Sequence, residues 1–273
     1  MSDWLSGDVI ANGIRTHYYR TGGDKPPVVL CHGATDDGRC YLRLAKVLEA
    51  DYDVIMPDAR GHGLSEAPKV GYNADDRAAD LAGFVEALKL ARPVIGGHSM
   101  GGSTSFYAAA TYPALFRGAM LEDPPFWGPS GPTAPGTDAE RAAQGRQRAI
   151  ERKALTREAM IANGRVEHPD WEEDEFGPWA DSKQRVSLNF AGAIRAPERQ
   201  TWRELLPPVT VPMLLITADP EKGGIITPEV AEEAERLNPA LKVIRLLGAG
   251  HNIRREQFDP FVAASRAFLA GIA

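Results

Sequence analysis

Ser99 lies between two glycines and is the first candidate for chemistry in this sequence. Residues 95–102 read Ile-Gly-Gly-His-Ser-Met-Gly-Gly, which places Ser99 in a Gly-x-Ser-x-Gly frame with Gly97 and Gly101. An apolar run over 93–95 precedes the frame, and a helix-like stretch over 103–110 follows it. This is the nucleophile-elbow pattern: the sharp strand-to-helix turn strains the serine backbone, and the glycines let neighbouring chains approach closely. Ser99 is therefore a candidate nucleophile.

His251 is the candidate general base. A serine hydroxyl is a poor nucleophile at neutral pH, so its attack requires a base within hydrogen-bond reach to take the proton. The chain has six histidines, and only His251 lies on a glycine-rich loop after the last strand-like run, over 243–247. Its position completes the chain order of serine, acid and histidine.

Alternating strands and helices must position these side chains. A β-hairpin is predicted over 8–20 with Asn12-Gly13 as its turn. Buried parallel strands are predicted near 27–31, 53–56, 93–96, 117–122, 211–217 and 242–247. Apolar residues at helical spacing predict helices over 74–90 and 258–272. This alternation indicates an α/β fold with a doubly wound sheet, in which active sites lie at the carboxyl ends of the strands.

Two further strand ends carry recognisable motifs. Residues 28–33, Val-Val-Leu-Cys-His-Gly, end an apolar run in His32-Gly33, and residues 58–65, Asp-Ala-Arg-Gly-His-Gly-Leu-Ser, follow the next run. Together with the motifs at Ser99 and His251, they resemble the α/β-hydrolase superfamily over nearly the whole chain. The resemblance implies a mostly parallel sheet, an esterase-like or lactonase-like serine mechanism, and no requirement for a cofactor or a metal.

The segment 124–210 breaks the alternation. It begins with a stretch rich in proline and glycine, and then runs through residues rich in Arg, Glu and Trp until strand-like residues resume at 211. In the resembled superfamily an insertion after the sixth strand commonly forms a helical cap, so a cap over 124–210 is predicted between two parts of one core, 1–123 and 211–273. Candidate cap helices span 138–163 and 178–194. Trp127 and Trp179 are candidates for lining a substrate pocket. Alternatively, they pack the cap against the core.

Three carboxylates are candidates for the acid that orients His251 and stabilises its imidazolium. Most relatives place this acid after the seventh strand, where this chain has Asp219 and Glu221. Others place it at the end of the sixth strand, and Asp123 lies there, 24 positions (123 − 99) after Ser99. That offset resembles the spacing in such members. We therefore slightly favour Asp123, followed by Asp219 and then Glu221.

The same family geometry predicts an oxyanion hole formed by the backbone amides of Ala34 and Met100. With these parts the chain is expected to hydrolyse a small-molecule carboxylic ester or lactone through an acyl-enzyme. Residues 121–127 also resemble esterases that open large lactones, including macrolides and mycotoxins. Carbon–carbon hydrolysis of dienone acids is the alternative, with Arg141, Arg146 and Arg185 available for a carboxylate. A non-catalytic ligand receptor on the same scaffold is a further alternative.

The composition of the chain limits its expected partners and location. A net charge of −6, with 43% hydrophobic and 25% charged residues, indicates an ordinary globular protein and argues against nucleic acid or anionic membrane as a partner. No apolar run approaches the roughly 18 residues of a membrane span. The first residues lack a secretory signal, so a cytoplasmic location is expected. The two cysteines, Cys31 and Cys40, form neither a disulfide framework nor a metal-ligand spacing.

Overall fold

An eight-stranded sheet forms the centre of the protein. The computed structural model describes residues 4–126, 136–194 and 199–272. The strands lie in the order β1-β2-β4-β3-β5-β6-β7-β8. Strands β1 and β2 form an antiparallel hairpin, and β2 also pairs antiparallel with β4. All the other neighbours are parallel. The strands are Leu5–Ala11, Ile14–Arg20, Pro27–Cys31, Asp53–Pro57, Val94–His98, Gly118–Glu122, Met213–Thr217 and Leu241–Arg245.

The predicted strands and the hairpin turn are confirmed, with boundaries shifted by at most three residues. Asn12 and Gly13 both have positive φ angles, of 48° and 75°, as the tight turn between β1 and β2 requires. Strands β3 to β7 are nearly or completely buried along their length, because helices cover both faces of a parallel sheet. The mostly parallel α/β fold expected from the sequence is thus observed.

Helices pack on both faces of this sheet. Alternate residues of β3 point into two separate hydrophobic clusters, Val29 into one and Val28 into the other. The first cluster includes residues of α2, α3 and α9, and the second includes residues of α1 and α11. Within the described residues, no helix is both long enough and apolar enough to cross a membrane. These five helices are Leu42–Leu48 (α1), Ala74–Ala87 (α2), Met100–Thr111 (α3), Pro228–Leu237 (α9) and Phe258–Gly271 (α11).

The chain between β6 and β7, which we call the insertion, is mostly helical in its described parts. Two of its side chains reach the loop after β3: Lys183 bonds to Asp36, and Arg185 bonds to Asp37. The insertion therefore lies over the carboxyl ends of the strands. Its helices are Asp138–Ala154 (α4), Arg157–Glu167 (α5), Glu173–Arg185 (α6), Leu188–Ala191 (α7) and Trp202–Leu205 (α8).

Both candidate cap helices differ from the observed ones. The helix expected over 138–163 is two helices, because Leu155 is extended and the Thr156 hydroxyl accepts a hydrogen bond from the Ala159 amide, which starts a new helix. The helix expected over 178–194 begins earlier, at Glu173, and a break at Val186 and Ser187 separates α6 from α7. Local capping at these polar residues outweighs the continuous helical periodicity.

Candidate active site

Ser99 occupies the strained turn between β5 and α3. Its φ and ψ angles are 51° and −113°, a region that residues other than glycine rarely adopt. The Ser99 amide donates a hydrogen bond of 2.8 Å to the carbonyl of Glu122, at the end of the neighbouring strand β6. This bond fixes the turn above the sheet edge. The geometry is that of the elbow expected from the sequence.

The two glycines of the motif have no room for a side chain. A Cβ atom on Gly97 would lie 2.4 Å from the backbone carbon of Gly101. A Cβ atom on Gly101 would lie 1.9 Å from the carbonyl oxygen of Cys31. Both contacts are with backbone atoms, which cannot rotate away as a flexible side chain could. The close packing of β3, β5 and α3 therefore requires glycine at both positions.

His251 contacts Asp123. The two side chains lie after β8 and β6 respectively, and His251 Nδ1 is 2.7 Å from Asp123 Oδ2. The Asp123 carboxylate is fully buried, whereas the imidazole is 29% exposed. A proton on Nδ1 satisfies this bond and leaves Nε2 available to accept a proton.

Two backbone amides hold the Asp123 carboxylate in place. Its Oδ2 accepts a hydrogen bond of 2.8 Å from the Ile225 amide, and its Oδ1 accepts one of 3.0 Å from the Ile226 amide. Asp123 itself has a positive φ of 41°. These two hydrogen bonds fix the direction of the carboxylate toward His251.

The other two candidate acids lie elsewhere. Asp219 Oδ2 accepts a hydrogen bond of 2.7 Å from the Gly248 amide, and its Oδ1 is 3.7 Å from Arg245 Nε. Glu221 is exposed on a short 3-10 turn, Pro220–Lys222. The structure brings His251 to Asp123 and uses Asp219 to hold the loop that carries His251. That Asp123, rather than Asp219 or Glu221, acts as the acid stays a prediction.

His98, which precedes Ser99, packs against His251. Their ring centroids are 4.5 Å apart, and His98 Nε2 donates a hydrogen bond of 2.9 Å to the His251 carbonyl oxygen. Burial lowers the pKa of His98 well below 6.5, and the neighbouring His251 acts in the same direction. His98 is therefore neutral at pH 7 and fixes the backbone of His251 without adding a charge beside it.

The two predicted oxyanion donors lie after two neighbouring strands, Met100 after β5 and Ala34 after β3. Met100 is the first residue of α3, so its amide is among those with no partner inside the helix and lies at the positive end of the helix dipole. Ala34 lies on the loop after β3, next to Thr35, whose φ is +65°. Lys183 of the insertion donates a hydrogen bond of 3.1 Å to the Thr35 carbonyl oxygen and so supports this loop.

A cavity of about 430 Å³ lies between the Ala34 loop and the insertion. It adjoins the elbow, because Ala34 lines it and Met100 packs in one cluster with two of its lining residues, Val186 and Phe190. Neither Ser99 nor His251 lines it. Among the described residues, no group of His, Cys, Asp and Glu could hold a metal ion.

Of the two tryptophans predicted to line a substrate pocket, the structure describes only Trp179. Trp179 is 9% exposed and packs inside the insertion against Trp171, Phe176 and Met160. It is not among the described residues that line the large cavity, so its observed position is that of a packing residue. Trp127 lies outside the described residues.

A buried charge cluster connects the loop after β3 to the insertion. We define it as six nearly fully buried side chains. Asp36 is its centre: its Oδ1 is 2.5 Å from Lys183 Nζ, and its Oδ2 is 3.2 Å from Arg255 Nη1. The cluster therefore holds the loop of Ala34 against α6. Its members are Asp36, Glu122, Glu175, Lys183, Arg254 and Arg255.

The two arginines extend the cluster to the other parts of the site. They lie on a short helix after His251, Ile253–Glu256 (α10). Arg254 is 3.4 Å from Glu122, the residue before Asp123, and Arg255 is 2.9 Å from Glu175 of the insertion. The loops that carry Ala34, Asp123 and His251 thus share one set of ion pairs. The sequence reasoning missed this cluster, because charged doublets such as Arg254-Arg255 are typical of exposed helices.

We expect Asp36→Asn to lower the free energy of unfolding at pH 7 by about 3–5 kcal/mol, because it leaves buried cations without their partner. Burial alone would raise the pKa of Asp36, but Arg255 and Lys183 outweigh it and hold the pKa well below 3.8. A lowered folded pKa contributes stability above the unfolded pKa of about 3.9, and this contribution is lost as pH falls through the folded pKa.

Urea denaturation of the wild type and Asp36→Asn from pH 8 to pH 3 measures this contribution. The difference between the two proteins should be largest at neutral pH and should shrink below about pH 4. Glu173→Gln, which breaks the exposed pair with Arg165, is the control and should leave stability nearly unchanged. A difference that does not depend on pH would contradict the assigned role of the Asp36 charge.

Comparison with known proteins identifies the family. A sequence model described as alpha/beta hydrolase fold matches residues 26–254. N-formylmaleamate deformylase from Pseudomonas putida is 30% identical, over 98% of this chain and 98% of its own. 2-(Acetamidomethylene)succinate hydrolase from Mesorhizobium japonicum is 30% identical, over 86% of this chain and 84% of its own.

The structural comparison agrees. The crystal structure of an enol-lactonase from Burkholderia xenovorans superposes with a TM-score of 0.77 at 25% identity, covering 97% of this chain and 100% of that one. The chain belongs to the alpha/beta hydrolase fold family and is related to enzymes that hydrolyse small molecules.

Proposed function

We propose that this protein hydrolyses a small-molecule acyl compound through an acyl-enzyme formed on Ser99, with a carboxylic ester or a lactone as the leading substrate class. The observation that carries the proposal is the 2.7 Å hydrogen bond between His251 and the buried Asp123. It orients a base after β8, at the edge of the parallel sheet where Ser99 follows β5 with a φ of 51°. The fold-family membership supports the same chemistry.

Each group has a defined role in this proposal. Ser99 Oγ attacks the substrate carbonyl carbon while His251 Nε2 takes the hydroxyl proton, and Asp123 stabilises the imidazolium. The amides of Ala34 and Met100 hold the oxyanion of the tetrahedral intermediate. His251 then protonates the leaving group, and a water molecule, deprotonated by His251, cleaves the acyl-enzyme and restores Ser99.

An N-acyl bond is the second candidate target. The names of the two 30%-identical relatives describe an N-formyl compound and an acetamido compound, and both compounds contain an acyl group attached to nitrogen. The same residues suit this reaction, since only the leaving atom differs. Carbon–carbon hydrolysis of a dienone acid also uses these residues and stays a prediction.

The cavity favours a small substrate over a macrolide. Its volume of about 430 Å³ lies in the lower part of the range typical of small-molecule sites, about 300–1,000 Å³. We therefore propose a substrate smaller than a macrolide, and the macrolide stays a prediction that the substrate panel tests.

Covalent trapping tests the acyl-enzyme directly. We expect a fluorophosphonate to label the protein once and to abolish its ester hydrolysis in proportion to labelling. Peptide mass spectrometry should locate the adduct on Ser99. Labelling should require a native site, so urea-unfolded protein is the control. Full labelling at another residue, with activity retained, would contradict the proposal.

A substrate panel separates the candidate bonds. It contains p-nitrophenyl acetate, δ-valerolactone, a macrolide, an N-formyl amide and a dienone acid, each followed at matched concentration. Highest kcat/KM on the ester or lactone supports the leading proposal. Highest kcat/KM on the amide or on the dienone acid replaces it with the corresponding alternative.

A further inference from the structure

One face of α4 supplies most of the charge of the large cavity. Asp138, Arg141, Gly145, Arg148 and Arg152 line it at successive spacings of three and four residues, which place them on one side of the helix. This helix face is rich in positive charge, whereas the whole chain has a net charge of −6.

The cations of this face differ in their partners. Arg141 forms an ion pair with Asp138, and Lys183, from the opposite wall, is engaged with Asp36. In the part of the chain that the structure describes, Arg148 and Arg152 have no carboxylate within ion-pair distance. These two guanidinium groups are therefore available to a ligand. A planar guanidinium suits a carboxylate because it can donate two parallel hydrogen bonds.

The opposite end of the cavity reaches the proposed oxyanion hole. Ala34 lines the cavity directly, and Met100 belongs to the same hydrophobic cluster as the lining residues Val186 and Phe190. A bound molecule can therefore extend from the elbow to α4. Its acyl end would meet the amides, and its far end would meet Arg148 and Arg152.

We propose that the substrate carries a carboxylate and that Arg148 and Arg152 bind this group while the scissile carbonyl lies at Ala34 and Met100. The inference rests on the proposed function and adds to it the charge of the substrate. The names of the two 30%-identical relatives, a maleamate and a succinate enzyme, describe compounds of the same charge class. The two arginines are thus specificity-determining residues.

A matched pair of esters tests this charge preference. Monomethyl succinate carries one carboxylate, whereas dimethyl succinate has the same carbon chain and no charge. For the wild type we expect a kcat/KM on the monoester at least about tenfold higher, the size of effect typical of hydrogen bonds to a charged group. Raising the ionic strength should increase KM for the monoester alone, because salt screens the attraction.

Substitutions of Arg148 and Arg152 test whether these residues cause the preference for the charged ester. Arg148→Gln and Arg152→Gln should each lower kcat/KM on the monoester by about tenfold, mainly through KM, and leave the diester nearly unchanged. Lys153→Gln is the matched control, since it removes a positive charge from the same helix at a residue that does not line the cavity. Equal losses on both esters, or no preference in the wild type, would overturn the inference.

Calorimetry separates this inference from the proposed function. Ser99→Ala should bind succinate, and the added Arg148→Gln substitution should weaken that binding by about tenfold. Such binding supports the carboxylate site even where neither ester is hydrolysed. Absence of succinate binding, in a protein that hydrolyses esters through Ser99, overturns the inference and leaves the proposed function intact.

Discussion

Replacing Ser99 with alanine is expected to lower kcat by about 10⁶ on the best ester of the panel, because the attacking oxygen is removed and the base has no proton to take. The substitution removes one oxygen atom at the surface of the elbow, so the fold should be preserved. Substrate affinity should change little. Stopped-assay kinetics with the purified variant, together with its melting temperature, measure both expectations.

The matched control for Ser99→Ala is Ser103→Ala. Ser103 lies one turn later on α3, and its amide donates a hydrogen bond to the Ser99 carbonyl oxygen through the main chain. That bond is retained in the variant, so activity should be nearly unchanged. Equal activity of wild type and Ser99→Ala on every substrate would instead identify a different nucleophile or an attack by water alone.

Asp123→Asn is expected to lower kcat by about 10⁴, the size of loss typical of an acid that orients a catalytic histidine. An amide in place of the carboxylate carries no charge to stabilise the imidazolium. It also favours the wrong tautomer of His251, since an amide NH₂ facing Nδ1 requires that nitrogen to be the acceptor. The Ile225 and Ile226 amides would face a less complementary partner as well.

Asp219→Asn distinguishes a direct role from a positioning role. Asp219 contacts the Gly248 amide and lies 3.7 Å from Arg245, so its loss should loosen the loop of His251 and reduce kcat much less than Asp123→Asn. The pH dependence of kcat/KM should keep its shape in Asp219→Asn. A larger loss in Asp219→Asn than in Asp123→Asn would overturn the assignment of the acid.

The strands and the elbow could be predicted from the sequence because short-range rules determine them. Apolar runs of about five residues, ended by glycine or proline, are typical of buried parallel strands. Gly97 and Gly101 mark a turn whose geometry admits no side chain. Such local patterns do not depend on where the rest of the chain lies.

The sequence alone could not decide which carboxylate is the triad acid. Asp123 and Asp219 follow two strands that are direct neighbours in the sheet, so both end near the same place. Which one meets His251 depends on the course of the loop after β8. That course is fixed by contacts more than 25 residues apart, such as Gly248 with Asp219. The ion pairs around Asp36 join residues up to 219 positions apart and leave no local pattern.

The charge cluster limits how this scaffold can be rebuilt. Excising the insertion would remove Lys183 and Glu175 and leave Asp36 and Arg255 buried without two of their partners. The core is therefore not an independent module onto which another lid can be exchanged freely. Engineering a new substrate range requires substitutions on the cavity face of α4, with the anchoring residues of α6 retained.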